Sequence, residues 1–150
     1  YLLGICNGFQ ILTQLGLLPD CSLVHNTSGR YQCKWSMLKN HAPNSPYLSK
    51  LPEEFEFPYA HAEGRLVTAD PADAKKLVAD GFAALTYSTD ENGSFEQIAG
   101  LQDETGRVLG LMPHPERFME REDHYDPDWD KQERGNGHYL FASLFEAVSK

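Results

Sequence analysis

Five residues, Gly4-Ile5-Cys6-Asn7-Gly8, constrain this 150-residue chain more than any other stretch. They follow the apolar run Tyr1-Leu2-Leu3. The pattern predicts a buried strand over 1–5, a tight Gly-x-Cys-x-Gly turn, and a helix over 6–18 with Phe9, Leu12 and Leu15 on one face. A strand, a sharp turn and a helix in that order make a nucleophile elbow, which lifts a reactive side chain clear of the end of a sheet. Small residues two before and two after the cysteine suit a turn with no room for side chains there.

Far along the chain, Met112-Pro113-His114-Pro115-Glu116 follows a second apolar run, Val108 to Leu111. A thiol, an imidazole and a carboxylate are the parts of a thiol triad, with Cys6 as nucleophile, His114 as proton carrier and Glu116 orienting the imidazole. Taken singly, a cysteine ahead of a helix is commonly a small buried residue, and His-Pro is a common turn pair. Each motif, however, follows a predicted strand, and strand C-terminal ends are where α/β sites collect. The helix N-terminus favours the thiolate of Cys6, and the Asn7 backbone N–H is a candidate donor to an oxyanion. No Gly-rich loop in the chain offers an obvious second donor.

Between the two motifs, Tyr31, Cys33, Trp35 and Met37 alternate with polar residues as in a strand, and Phe55 and Phe57 do the same ahead of Pro58. Asp70-Pro71 caps a short helix running through Val78 and closed by Gly81. Ala83 to Tyr87 and Ile98 to Leu101 read as strands, with Asn92-Gly93 as a hairpin turn signal between them. Leu140, Phe141, Leu144, Phe145 and Val148 mark an amphipathic last helix, and the charged, aperiodic stretch 120–136 reads as an exposed loop. The expectation is one α/β domain over residues 1–150, an open sheet with flanking helices.

The net charge of −9 argues against nucleic acid as a partner, and equally against an anionic membrane surface. No stretch approaches the roughly 20 apolar residues of a membrane span. Three unpaired-looking cysteines, Cys6, Cys21 and Cys33, make a poor disulfide framework and suit a reducing cytosol, hence a cytoplasmic protein. The histidines form no metal-ligand spacing, so no metal is expected.

Taken together, Gly4-Ile5-Cys6-Asn7-Gly8-Phe9-Gln10 and His114-Pro115-Glu116 resemble the triad-type (class I) glutamine amidotransferases. Leu15-Gly16-Leu17-Leu18-Pro19, Ala60-His61-Ala62-Glu63-Gly64-Arg65, Asn92-Gly93-Ser94, Ile98-Ala99-Gly100 and Gly110-Leu111-Met112-Pro113-His114-Pro115-Glu116-Arg117 narrow the resemblance to the glutaminase components of phosphoribosylformylglycinamidine synthases. That resemblance implies a flavodoxin-like or Rossmann-like open sheet. It implies that Cys6 attacks the side-chain amide of glutamine, with Cys6, His114 and Glu116 catalytic. It also implies that Asn7, Gly8, Gln10, His61 and Ala62 hold the glutamine or its oxyanion. The released ammonia passes to a synthetase subunit or domain, with or without a small accessory subunit. ATP and magnesium belong to that partner, and this chain carries no cofactor. Where the family has Gly, this chain has Ala62. Strands and a Gly-rich oxyanion loop precede the elbow in the family, so the chain is expected to be about the C-terminal two-thirds of such a domain, opening on Tyr1 inside a strand, and to be inactive by itself. Other readings remain open: a non-catalytic fragment acting only as an interaction surface, another class I amidotransferase, and a thiol peptidase or γ-glutamyl hydrolase using the same elbow.

Overall fold

The computed structural model describes residues 1–150. Its main sheet has six strands: β1 (Leu2–Ile5), β3 (Gln32–Asn40), β4 (Glu54–His61), β6 (Ala83–Tyr87), β7 (Ile98–Gln102) and β8 (Val108–Leu111). They lie in the order β1-β8-β7-β6-β3-β4. Only β1 and β8 run parallel, with Ile5 opposite Leu111, and every other pairing is antiparallel. The α/β open sheet is therefore present, with its single parallel pair at the end that carries both motifs. β2 (Ser22–Val24) and β5 (Arg65–Val67) form a separate two-stranded ribbon, too short for its periodicity to be read from sequence.

Three helices flank the sheet: α1 (Asn7–Gln14), α2 (Pro71–Ala79) and α3 (Asn136–Val148). α1 stops four residues before the predicted end at Leu18. Gly16 takes φ +67°, its N–H donates to Thr13 O, and Leu17 N–H donates to Leu12 O. This is a Schellman close, which consumes the last carbonyls of the helix. α2 begins as predicted, with Asp70 Oδ1 accepting the Ala72 N–H at 2.8 Å and Pro71 in the first turn.

Two further expectations change. Asn92-Gly93 is not a two-residue hairpin turn. β6 and β7 do pair antiparallel, but residues 88–97 join them, Asn92 is buried, and its Oδ1 accepts from both Ser94 N–H and Ser94 Oγ–H. The stretch 120–136 is not a free excursion either. His124 and Trp129 are buried from it and stack with Trp35 and Phe118, with ring centroids 4.7–5.5 Å apart. These aromatic side chains provide the apolar surface that anchors an otherwise charged segment.

Buried side chains fall into two clusters. The larger joins β3, β4, β6, Tyr47, Leu48 and the 118–129 aromatics; the smaller packs α1, Ala74 of α2 and Met112 together. β1 keeps one side unpaired, and Tyr1, Leu2, Ile11 and Leu15 remain exposed beside it. No helix is long and apolar enough to cross a membrane.

Candidate active site

Parallel pairing of β1 with β8 sets the elbow and the His-Pro-Glu segment side by side. The Cys6 N–H donates to Leu111 O at 2.8 Å, carrying the pairing one residue into the turn. Cys6 itself has φ 51° and ψ −105°, a region L-residues rarely occupy. Such strain persists only where the surroundings over-determine it. Here Gly4 supplies the close approach: a Cβ on it would lie 2.7 Å from the Gly8 backbone and 2.5 Å from Leu12 Cδ1. Gly8 is different. A Cβ there would meet open space, so the steric reason expected for both glycines applies to Gly4 alone.

β4 clamps the two motifs from the far end of the strand order. The His114 N–H donates to Pro58 O at 2.8 Å, and Cys6 Sγ lies 3.9 Å from Ala60 O. Those carbonyls are two residues apart on one side of the strand, so their spacing is roughly 7 Å. The sheet curls until its two edge strands meet at this corner. Pro58 is tolerated because β4 is an edge strand, where a missing N–H breaks no central ladder.

His114 Nδ1 donates to Glu116 Oε1 at 2.6 Å, which leaves Nε2 as the free nitrogen; it is buried and has no partner. Pro115–Arg117 form a turn of 3-10 helix, and Gly137 at the start of α3 packs directly on the Pro115 and Phe118 carbonyls. Burial is the largest influence on Cys6 and pushes the thiol up. The Asn7 backbone N–H and the Arg117 charge oppose it, and the Glu116 charge adds to it. The Asn7 N–H at the helix N-terminus thus lowers the thiol pKa as expected but does not outweigh burial.

His61 sits in a rigid cage. Its ring stacks on Tyr59 (4.7 Å, 19°), and on its other side a Cβ at Gly64 would come within 2.3 Å of it, so glycine is required there. The Asn26 side chain fixes its tautomer. Asn26 Nδ2 donates to the Arg30 and His61 carbonyls, so Oδ1 faces His61 Nδ1 at 3.1 Å and must accept its proton. Nε2 is then a bare acceptor, buried and unpartnered. Burial, reinforced by the nearby His114, drives the pKa of His61 down to about 4. Tyr87, wholly buried with an unpartnered O–H, lies close enough to feel the charge of Cys6. Such orphaned groups are rare in folded proteins and cluster where function needs them.

The other expected site residues are placed as follows. Asn7 directs its N–H at the sulfur. Gln10 Nε2 donates to Glu63 O at 2.8 Å, tying α1 to the 61–64 turn, and the Ala62 carbonyl accepts the Asn26 N–H. Glu63 and Arg65 do not pair with each other: Glu63 meets His25 at 3.2 Å, and Arg65 Nε donates to Gly93 O. Asn26, Tyr59 and Tyr87 carry no signal in the sequence, and Arg117 enters there only as the end of the Met-Pro-His-Pro-Glu-Arg segment. Only Arg117, next to the acid, carried a signal that could have found it. No group of His, Cys, Asp and Glu side chains lies close enough to hold a metal ion.

A family model of the CobB/CobQ-like glutamine amidotransferase domain matches residues 1–147. The PurQ subunit of phosphoribosylformylglycinamidine synthase from Zymomonas mobilis is 40% identical over 149 residues, 98% of this chain and 62% of that subunit. The subunit of the same name from Cereibacter sphaeroides is 43% identical over 122 residues, 80% of this chain and 54% of that one. Among solved structures, PurLQS from Thermotoga maritima superposes with a TM-score of 0.79 at 36% identity, over 97% of this chain and 61% of that chain. The chain thus spans about three-fifths of the length of these relatives. It belongs to the CobB/CobQ-like glutamine amidotransferase domain family.

Proposed function

We propose that this chain carries the glutaminase chemistry of a phosphoribosylformylglycinamidine synthase. The Cys6 thiol gives its proton to His114 Nε2 and attacks the side-chain carbonyl carbon of glutamine. Amide N–H groups around the elbow, Asn7 first, receive the charge on the carbonyl oxygen. His114 then returns the proton to the leaving nitrogen, and ammonia departs. Water, deprotonated by His114, attacks the γ-glutamyl thioester, releasing glutamate and restoring the thiol. Glu116 keeps Nδ1 protonated and the ring in place. The 61–64 turn, braced by Gln10 and Asn26, lies along the glutamine, and the ammonia passes to an ATP- and magnesium-dependent synthetase partner. There it converts formylglycinamide ribonucleotide to formylglycinamidine ribonucleotide, a cytoplasmic step of purine synthesis.

One observation carries this reading. A strained cysteine and a carboxylate-bound imidazole with a free Nε2 are held on neighbouring strand ends and clamped by one strand, β4. The relatives' names support the acceptor and the partner. The test is ammonia release from glutamine, measured for the chain alone and with a synthetase subunit. Cys6→Ala and Cys6→Ser are expected to abolish release, and a glutamine-derived diazo-ketone to label Cys6 only. Normal turnover in either variant rejects the thiol mechanism.

A second reading has its own support in the unpaired side of β1 and the exposed Leu2, Ile11 and Leu15 beside it. On that reading the chain alone acts as an associating surface without turnover. Ammonia release that appears only when the relatives' remaining segment is supplied would reconcile the two.

A further inference from the structure

The Glu116 carboxylate has two neighbours on one oxygen. His114 Nδ1 donates to Oε1 at 2.6 Å, and Arg117 Nε stands 3.7 Å from that same Oε1. The backbone holds both in place, because the Arg117 N–H donates back to the His114 carbonyl at 3.2 Å. The Glu116 side chain is 43% exposed, so water competes for it, and the Arg117 guanidinium is the one cation beside it.

The electrostatics give the arrangement a second role. The Glu116 charge disfavours a thiolate at Cys6, and the Arg117 charge favours one. The other groups around the sulfur and its imidazole are the Asn7 N–H of α1, the Tyr87 phenol of β6, and His61 at the end of β4, which burial keeps neutral. Arg117 is the only permanent cation acting on the thiol. A carboxylate alone would organise the imidazole while opposing the ion pair that the imidazole must form with sulfur. An adjacent arginine removes that conflict.

We propose that Arg117 is a positioning residue of the thiol site, holding the Glu116 carboxylate against His114 and cancelling that carboxylate's field at Cys6. The inference rests on the triad reading above and deepens it.

Its test reads Cys6 directly, by residue-resolved mass spectrometry of iodoacetamide alkylation across pH on the full chain, and needs no glutamine turnover. Arg117→Gln is expected to raise the midpoint of Cys6 alkylation by about half a pH unit, roughly threefold slower labelling at pH 7. Arg117→Lys restores most of the rate. The difference between wild type and Arg117→Gln shrinks toward about 1 M salt, where exposed charges are screened. Glu116→Gln combined with Arg117→Gln returns toward wild type, because the field to be cancelled has gone. A profile for Arg117→Gln that superimposes on wild type, with an unchanged thermal midpoint, overturns the proposal. So does a displaced profile that is indifferent to salt and to the double substitution. If Arg117→Gln does not fold, Glu116→Gln decides the matter: with Arg117 then unopposed, its Cys6 midpoint is expected to fall below that of wild type and to move back toward it at about 1 M salt, and a Glu116→Gln profile that superimposes on wild type overturns the proposal. A missing glutaminase activity beside a displaced, salt-sensitive profile counts against the proposed function and not against Arg117.

Discussion

His114 and His124 each carry a carboxylate on one ring nitrogen, yet the two pairs are built for opposite ends. His114 Nδ1 meets Glu116 across two residues at 2.6 Å, and its other nitrogen has no partner. His124 Nε2 meets Glu56 across 68 residues at 3.2 Å, and its Nδ1 accepts the Asp126 N–H. The first ring follows β8, the strand paired with the one that leads to Cys6, and its carboxylate partner is about half exposed. The second is walled by Trp35, Phe118, Tyr125 and Trp129, with its side chain 2% exposed. A histidine with both nitrogens committed is a fastener. One nitrogen left without a partner remains free to take or give a proton. Here the fastener secures the 118–136 segment to β4, the strand whose Pro58 carbonyl accepts the His114 N–H.

Substitutions can break this contrast, and their expected effects fall in a clear order. His114→Ala is expected to lower glutamine hydrolysis by roughly 10²–10⁴ with little change in urea unfolding, and Glu116→Ala to cost less. A large loss of stability in His114→Ala would erase the distinction. In the other pair, Glu56→Ala or His124→Ala is expected to destabilise the fold by about 3 kcal/mol, since each strands a buried partner. Turnover per folded molecule should hold, as activity measured against the folded fraction will show.

His61 sharpens the comparison through pH. Its pKa falls from an unfolded value near 6.5 to about 4, so the unfolded chain binds the extra proton between those values. Its neutral burial is fully favourable above about pH 6.5 and is lost progressively as pH falls toward 4. The window is worth roughly 3 kcal/mol. Urea midpoints measured across it should flatten in His61→Gln, and an unchanged slope would contradict the burial argument. The smallest effects belong to the remaining thiols. Burial pushes Cys21 up to about 12, so it should resist alkylation at pH 8. Cys21→Ser and Cys33→Ser should each leave turnover unchanged and cost about 1 kcal/mol or less.

What could be read from the chain followed from interactions short in sequence. The elbow needed only Gly4 against Gly8, the His114–Glu116 pair only two residues, and the Asp70-Pro71 cap only its own turn. The parts that escaped depend on partners far away. Asn26 bonds to His61 and Gly64, and β4 reaches Cys6 by curling the sheet. The loop 120–136 read as solvated because its two buried rings, His124 and Trp129, stand singly among charges and find their walls only at Trp35 and Phe118. α1 ended early because a Schellman close at Gly16 satisfies its carbonyls before the apolar pattern runs out.

The amino-acid order by itself determined the reactive groups, the turn that strains the cysteine and the acid that follows the histidine. Each of these is encoded within a few bonds. The tertiary structure alone decided that an edge strand would curl across to meet both the Cys6 sulfur and the His114 backbone, and which nitrogens would be left free. Those outcomes depend on how the whole sheet buries its apolar faces and where its polar atoms then find partners.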